Sequence, residues 1–298
     1  MNSYVISIMV LGSIALVAAM ILYVCLNRFA VRTDPRVVQV MSALPQANCG
    51  GCGYPGCSGL AGALVKAADK GSLNGLACPV GGQDTMGKIA DILGVGNVQS
   101  DPMIAVVRCA GSYQKRKLMA EYSGLATCAA VNMCGTGETA CGYGCLGCGD
   151  CVATCSFGAL SIDSLTRLSV VDENKCTACG ACVKACPRNI IELRKKGLRD
   201  RRVYIPCMNH DRGPVAMRAC DVSCIGCGKC KKECRFDAIV VENNLAYIDS
   251  NKCRLCRKCE KVCPRNIITA VNFPVRKIVG NGSNMPDSDI KSTNRLMV

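Results

Sequence analysis

The pattern Cys-x-x-Cys-x-x-Cys-x-x-x-Cys occurs four times in the second half of this 298-residue chain. The copies are Cys145/Cys148/Cys151/Cys155, Cys176/Cys179/Cys182/Cys186, Cys224/Cys227/Cys230/Cys234 and Cys253/Cys256/Cys259/Cys263. This spacing lets three thiolates wrap one corner of a [4Fe–4S] cube, while the fourth crosses to the other cube of a pair. One copy would also suit zinc. Four copies in two tandem pairs point to a chain that holds several iron–sulfur clusters close together and moves electrons between them.

The crossing rule then gives four ligand sets. They are Cys145, Cys148 and Cys151 with Cys186; Cys176, Cys179 and Cys182 with Cys155; Cys224, Cys227 and Cys230 with Cys263; and Cys253, Cys256 and Cys259 with Cys234. Short apolar runs lie between the motifs, at Ala159–Ile162, Leu168–Val171, Ala238–Val241 and Ala246–Ile248. This strand–turn–strand pattern resembles the small α+β fold of bacterial two-cluster ferredoxins. The expected fold class is α+β, with two such domains in tandem at 141–193 and 220–273.

The 27 cysteines, about 9% of the chain, cluster two residues apart, which favours shared metal over crosslinks and implies a reducing compartment. With no Trp and four Phe, little apolar surface is available, so bound clusters must supply much of the folding energy. The formal charge of +14 counts cysteine as neutral. A four-thiolate cube carries about −2, so five of them offset about 10 positive charges. The basicity is mostly compensation for cofactor, and nucleic acid is not an expected partner.

Tyr4 to Leu26 is free of charged residues over 23 positions, enough for a bilayer-spanning helix. Met1-Asn2-Ser3 lacks the basic start of a cleaved signal, and Arg28, Arg32 and Arg36 follow the apolar run. We expect an uncleaved single-pass anchor (1–27) in the cytoplasmic (inner) membrane, with the soluble part on the cytoplasmic side. A linker at 28–45 follows. Cys49, Cys52, Cys57 and Cys78 then form a four-thiolate set inside a small helical domain at 46–94, with helices expected at Ser58–Ala68 and Asp84–Leu93. Its glycines allow tight turns around a fifth [4Fe–4S] cluster. A connector (95–140) has an expected strand at Met103–Val107 and helix at Leu125–Met133. A basic connector spans 194–219, and a disordered tail is expected at 274–298.

A shift of 79 residues superimposes the two ferredoxin units and takes Cys128 to Cys207 and Cys141 to Cys220. Those four form a candidate sixth cluster set. A local set of Cys109, Cys128, Cys134 and Cys141 is the rival, and buried free thiols are the plain alternative. No dinucleotide fingerprint, P-loop or catalytic Ser/His/Asp arrangement is evident, so no catalytic substrate site is expected.

The order of anchor, Asn48-Cys49-Gly50-Gly51-Cys52-Gly53-Tyr54-Pro55-Gly56-Cys57 with Cys78-Pro79, and doubled ferredoxin motifs resembles the B-type subunit of the Rnf electron-transport complex. Cys141-Gly142-Tyr143-Gly144-Cys145 and the doubled unit are similar to its longer, anaerobe-type form. The resemblance covers the chain to about residue 273. It implies an electron-transfer subunit of an ion-translocating ferredoxin:NAD oxidoreductase. Such a subunit takes electrons from soluble ferredoxin and passes them to other membrane subunits. A hydrogenase or dehydrogenase subunit without ion transport is the alternative. The basic run Arg194, Lys195, Lys196, Arg199, Arg201 and Arg202 is a candidate docking loop for an acidic ferredoxin.

Overall fold

The computed structural model describes residues 3–29, 34–73, 75–96 and 101–274; all of the expected tail after residue 274 lies outside that range. Helix α1 (Ser3–Phe29) is apolar on every face, and no part of Tyr4–Arg28 is buried against the rest of the protein. At about 1.5 Å per residue it extends about 40 Å, more than the ~30 Å of a bilayer core.

The stretch read as a linker is partly helical. Helix α2 (Pro35–Ala43) starts at Asp34, whose carboxylate accepts the Arg36 backbone N–H, with Pro35 in the first turn where no N–H is needed. Its Val40 packs with Leu60 and Leu64 of α3 (Cys57–Ala68) and with Met86 and Ile89 of α4 (Gly82–Leu93). The three helices form a small core under the cysteines of residues 49–78.

Beyond it lie strand β1 (Met103–Val107) and helix α5 (Cys128–Cys134), then two copies of one unit. The first has α6 (Asp150–Ala153), β2 (Leu160–Ile162), β3 (Ser169–Val171), α7 (Ala181–Ala185) and β4 (Ile191–Lys195). The second begins with β5 (Arg202–Tyr204) and α8 (Gly213–Ala219). It continues with α9 (Lys229–Glu233), β6 (Ile239–Glu242), β7 (Leu245–Ile248), α10 (Lys258–Lys261) and β8 (Thr269–Val271). Hairpins β2–β3 and β6–β7 are antiparallel and local.

The other two pairings move the domain boundaries upstream. β1, from the expected connector, pairs with β4 from Met103↔Lys195 to Val107↔Ile191. β5, from the expected basic connector, pairs with β8 from Arg202↔Val271 to Tyr204↔Thr269. Each ferredoxin unit is therefore closed by a strand that precedes its first motif. Ala105 sits in the core of the first unit beside Cys145, Cys151 and Cys182, and Val203 in the core of the second beside Cys224, Cys230 and Cys259.

Within each motif a short helix begins after a left-handed residue: Gly149, Gly180, Gly228 and, in the fourth, Arg257. Glycine takes this conformation without strain. Arg257 takes it with its guanidinium anchored on the Glu260 carboxylate at 2.7 Å.

Candidate functional site

The motif cysteines are drawn toward hollows rather than points. Among the described residues, no three His, Cys, Asp or Glu side chains gather closely enough to hold a single metal ion. In the second ferredoxin unit, Cys224, Cys227 and Cys230 line one hollow with Cys263. A second hollow brings Cys253, Cys256 and Cys259 together with Cys234. Both groupings contain the crossing cysteine and not the sequence-adjacent one.

The first unit is similar with one complication. Cys145, Cys151 and Cys186 line a hollow that also receives Cys128, while the Cys148 thiol lies beside that of Cys128. Cys182 has Cys176, Cys179, Cys151 and Cys155 as its neighbours, so cysteines of both expected sets lie near it. In the N-terminal domain, Cys78 packs with Cys52 and Cys57, and the Gly81 N–H donates to its sulfur at 3.4 Å. Asn48 holds the Cys57 backbone N–H at 2.8 Å. This domain touches the first ferredoxin unit closely: a Cβ at Gly51 would lie 2.3 Å from the Cys179 carbonyl oxygen, so glycine is required for the approach.

Buried polar atoms test whether these sites suit an anionic cofactor. Pro187-Arg188 and Pro264-Arg265 follow the last cysteine of the second motif in each unit, and both arginines line the corresponding hollows. Arg188 donates to the Gly144 carbonyl at 2.7 Å, and the Arg265 Nε is buried without a partner. Backbone N–H groups aim at sulfur, as from Ala159 to Cys155 at 3.3 Å. Burial pushes the thiols of Cys182 and Cys230 up to about 11 and that of Cys259 to about 12. Without positive charge inside the hollow these sulfurs stay protonated, so iron is what makes them thiolates. Donor chemistry and the N–H groups fit a [4Fe–4S] cube.

The expected sixth set, Cys128, Cys141, Cys207 and Cys220, is not assembled as such. Cys128 starts α5, where the Asp150 carboxylate accepts its N–H at 2.9 Å, and it faces Cys148. Cys109 takes its place: Cys109, Cys141, Cys207 and Cys220 line one hollow. The rival local set fails too, because Cys134 is exposed and its thiol is hydrogen-bonded to Tyr122. The misleading signal was the shift of 79, which matches Cys128 to Cys207 by number only. The useful one was that Val106-Val107-Arg108-Cys109 and Tyr204-Ile205-Pro206-Cys207 both end a short apolar strand in cysteine.

The basic run also needs correction as a docking loop. Arg194 is 2% exposed and donates to the carbonyls of Val203 and Ile248, welding the two ferredoxin units. Arg202 is buried on Glu173, and Arg201 stacks on Phe273. Lys195 pairs with Asp101 and Lys196 with Asp200, which leaves Arg199 as the exposed member without an ion pair among those described. Six basic residues within nine positions suggested a common face because sequence does not show which of them turn inward.

A small four-cysteine domain and two units whose motif cysteines converge, behind an apolar N-terminal helix, define a multi-cluster iron–sulfur electron carrier. Residues 144–190 and 223–268 each match the 4Fe-4S dicluster domain family, and residues 44–71 match an Fe-S cluster family. Over 269 residues the chain is 42% identical to the B-type subunit of the Na⁺-translocating ferredoxin:NAD⁺ oxidoreductase complex of Acetobacterium woodii, covering 90% of this chain and 78% of the relative. It is 37% identical to the B-type subunit of the ion-translocating oxidoreductase complex of Methanosarcina acetivorans (88% and 96% covered). It is also 37% identical to the corresponding subunit of the proton-translocating ferredoxin:NAD⁺ oxidoreductase complex of Clostridium ljungdahlii (91% and 94% covered). The chain belongs to the B-type subunit family of Rnf ion-translocating oxidoreductase complexes, in which it is an iron–sulfur electron-transfer subunit. The apolar α1 fits a membrane anchor in such a subunit.

Proposed function

We propose that this subunit takes electrons from a soluble reduced ferredoxin at its second ferredoxin unit. It would deliver them through the first unit to the four-cysteine domain beside the membrane. The observation that carries this reading is that crossing cysteines, far apart in sequence, line common hollows in the second unit. When bound, [4Fe–4S] clusters supply one-electron carriers at fixed positions.

The residues that would hold them are Cys49, Cys52, Cys57 and Cys78 in the N-terminal domain. In the first ferredoxin unit they are Cys145, Cys148, Cys151 and Cys186, and Cys176, Cys179, Cys182 and Cys155. In the second they are Cys224, Cys227, Cys230 and Cys263, and Cys253, Cys256, Cys259 and Cys234. That makes five clusters. Cys227 and Cys256 are exposed, with Lys229, Lys231, Lys232, Lys252, Arg254 and Lys258 exposed close by in sequence. Such a surface suits an acidic protein, attracting it at long range and placing it over the accessible ligands. At the other end, the contact of Gly51 with Cys179 supports transfer between the first unit and the membrane-proximal domain.

Arg28 at the end of α1 supports a cytoplasmic location for everything after the anchor, in the cytoplasmic membrane. The relatives are named for different coupling ions, Na⁺ in one and protons in another.

The test is anaerobic stopped-flow reduction of the membrane-bound complex by reduced ferredoxin, followed by cluster absorbance. The reading expects bleaching that slows as salt rises. Reduction that ignores salt and survives loss of the lysines near Cys227 would reject the docking face. Zinc with little iron or sulfide would reject the electron-transfer reading itself.

A further inference from the structure

We propose that Cys109, Cys141, Cys207 and Cys220 hold a sixth [4Fe–4S] cluster at the seam between the two ferredoxin units, outside the repeated motifs. The proposal rests on the iron–sulfur reading above. The four cysteines line one hollow, as the cysteines of the crossing sets in the second unit do. All four are free cysteines, so no crosslink accounts for their convergence.

The site has an internal pseudo-symmetry that chance packing of thiols would not produce. Cys109 follows β1 and Cys207 follows β5, the strands that close the two units. The Cys109 sulfur accepts the Cys145 N–H at 3.4 Å, and the Cys207 sulfur accepts the Cys224 N–H at the same distance. Cys141 and Cys220 each stand four residues before those motif cysteines. Each unit thus contributes one thiol from its closing strand and one from the approach to its first motif. The seam is fixed by the Ala110 N–H on the Pro206 carbonyl at 3.0 Å and the Lys117 N–H on the Ala219 carbonyl at 3.2 Å.

The lining is also incomplete without a ligand. The Nε of Arg116 and the hydroxyl of Ser223 are buried and have no partner, though these residues are only 5% and 1% exposed. Buried donors left unpaired are costly, and sulfide or thiolate sulfur in the hollow would accept from them. The Asn209 Nδ2 is already 3.7 Å from the Cys141 sulfur. Buried Arg108 and Arg116 supply positive charge to balance a net-negative cube. Space is kept by Gly111, where a Cβ would meet the Cys220 sulfur at 2.9 Å. A cluster here would stand between the first motif of one unit and the first motif of the other, joining two otherwise separate cluster pairs.

The experiment counts iron and acid-labile sulfide per chain in anaerobically purified complex, with cluster type read by Mössbauer spectroscopy. The full chain is expected to carry about 24 irons instead of about 20. Cys207→Ser with Cys220→Ser should lose about four irons and four sulfides, and Cys134→Ser, at an exposed cysteine outside the hollows, should lose none. Because the first pair of changes could disturb folding, the unmodified protein is also alkylated in its native state and mapped by mass spectrometry. Cys109, Cys141, Cys207 and Cys220 should resist as well as the motif cysteines do, and react once iron is chelated. Alkylation of these four in native protein, or an unchanged iron count in the Cys207/Cys220 variant, would overturn the proposal and leave five clusters standing. Little iron or sulfide of any kind would overturn the parent reading instead.

Discussion

The two ferredoxin units share strand order and crossing cysteines but differ in what surrounds them. In the first, Cys148 is half-buried with its thiol on Cys128 of α5, and Cys179 is approached by Gly51 of the N-terminal domain. In the second, the corresponding Cys227 and Cys256 are exposed and flanked by lysine and arginine. Both copies keep buried Cys151, Cys182, Cys230 and Cys259 deep in their cores. The interiors are alike and the coverings differ, so one unit is covered by its neighbours and the other faces the solvent.

Iron removal should affect this comparison most. Chelation under mild oxidation is expected to strip the second unit first, then unfold both, because apolar burial alone is small in each. Iron release followed with native alkylation mass spectrometry should label Cys227 and Cys256 before Cys148 and Cys179. Simultaneous labelling would mean that the coverings do not protect.

A ligand swap sharpens the functional half. Cys256→Ser and Cys179→Ser should each cost about four irons. Only the first should abolish fast reduction by soluble ferredoxin, while the second should leave the outer unit reducible and block onward transfer. Stopped-flow absorbance separates the two.

Smaller effects follow from the seam and the rim. Arg194→Met removes a buried guanidinium that bridges the units and leaves Glu192 without its 2.8 Å ion pair. A loss of about 3 kcal/mol is expected, against under ~0.5 kcal/mol for Arg199→Ala, both read from denaturant midpoints of the loaded protein. Changing Lys229, Lys231 and Lys232 together to Glu should lower the second-order rate with ferredoxin about 10-fold at low ionic strength, with the difference vanishing in high salt. Arg199→Glu should change it little.

Much of this arrangement could be read from spacing alone. The convergence of crossing cysteines in the second unit, the two hairpins and α3 and α4 follow from local pattern, and the structure starts α3 one residue before the expected Ser58. What escaped was non-local. Nothing in Met103–Val107 announces that its partner is Ile191–Lys195, and the inserted residues around α5 hide the equivalence of Cys109 with Cys207. Helix α2 is hard to see because a short segment with Pro and Arg reads as polar, although Asp34-Pro35 is a helix start signal. Inward-turned arginines are invisible for the opposite reason: charge predicts exposure until a buried carbonyl competes for it.

The pairing of β1 with β4 also sets a clock for synthesis. Val107 and Met103 leave the ribosome 84 and 92 residues ahead of their partners Ile191 and Lys195 (191 − 107 and 195 − 103). At about 5–20 residues per second the strand waits about 4–18 s with an open edge. Ile104 and Val106, which finish almost wholly buried, are in water throughout that interval. The nascent chain is thus most prone to clumping before its second motif exists, and its yield in a cell should rise when translation is not slowed between residues 107 and 191.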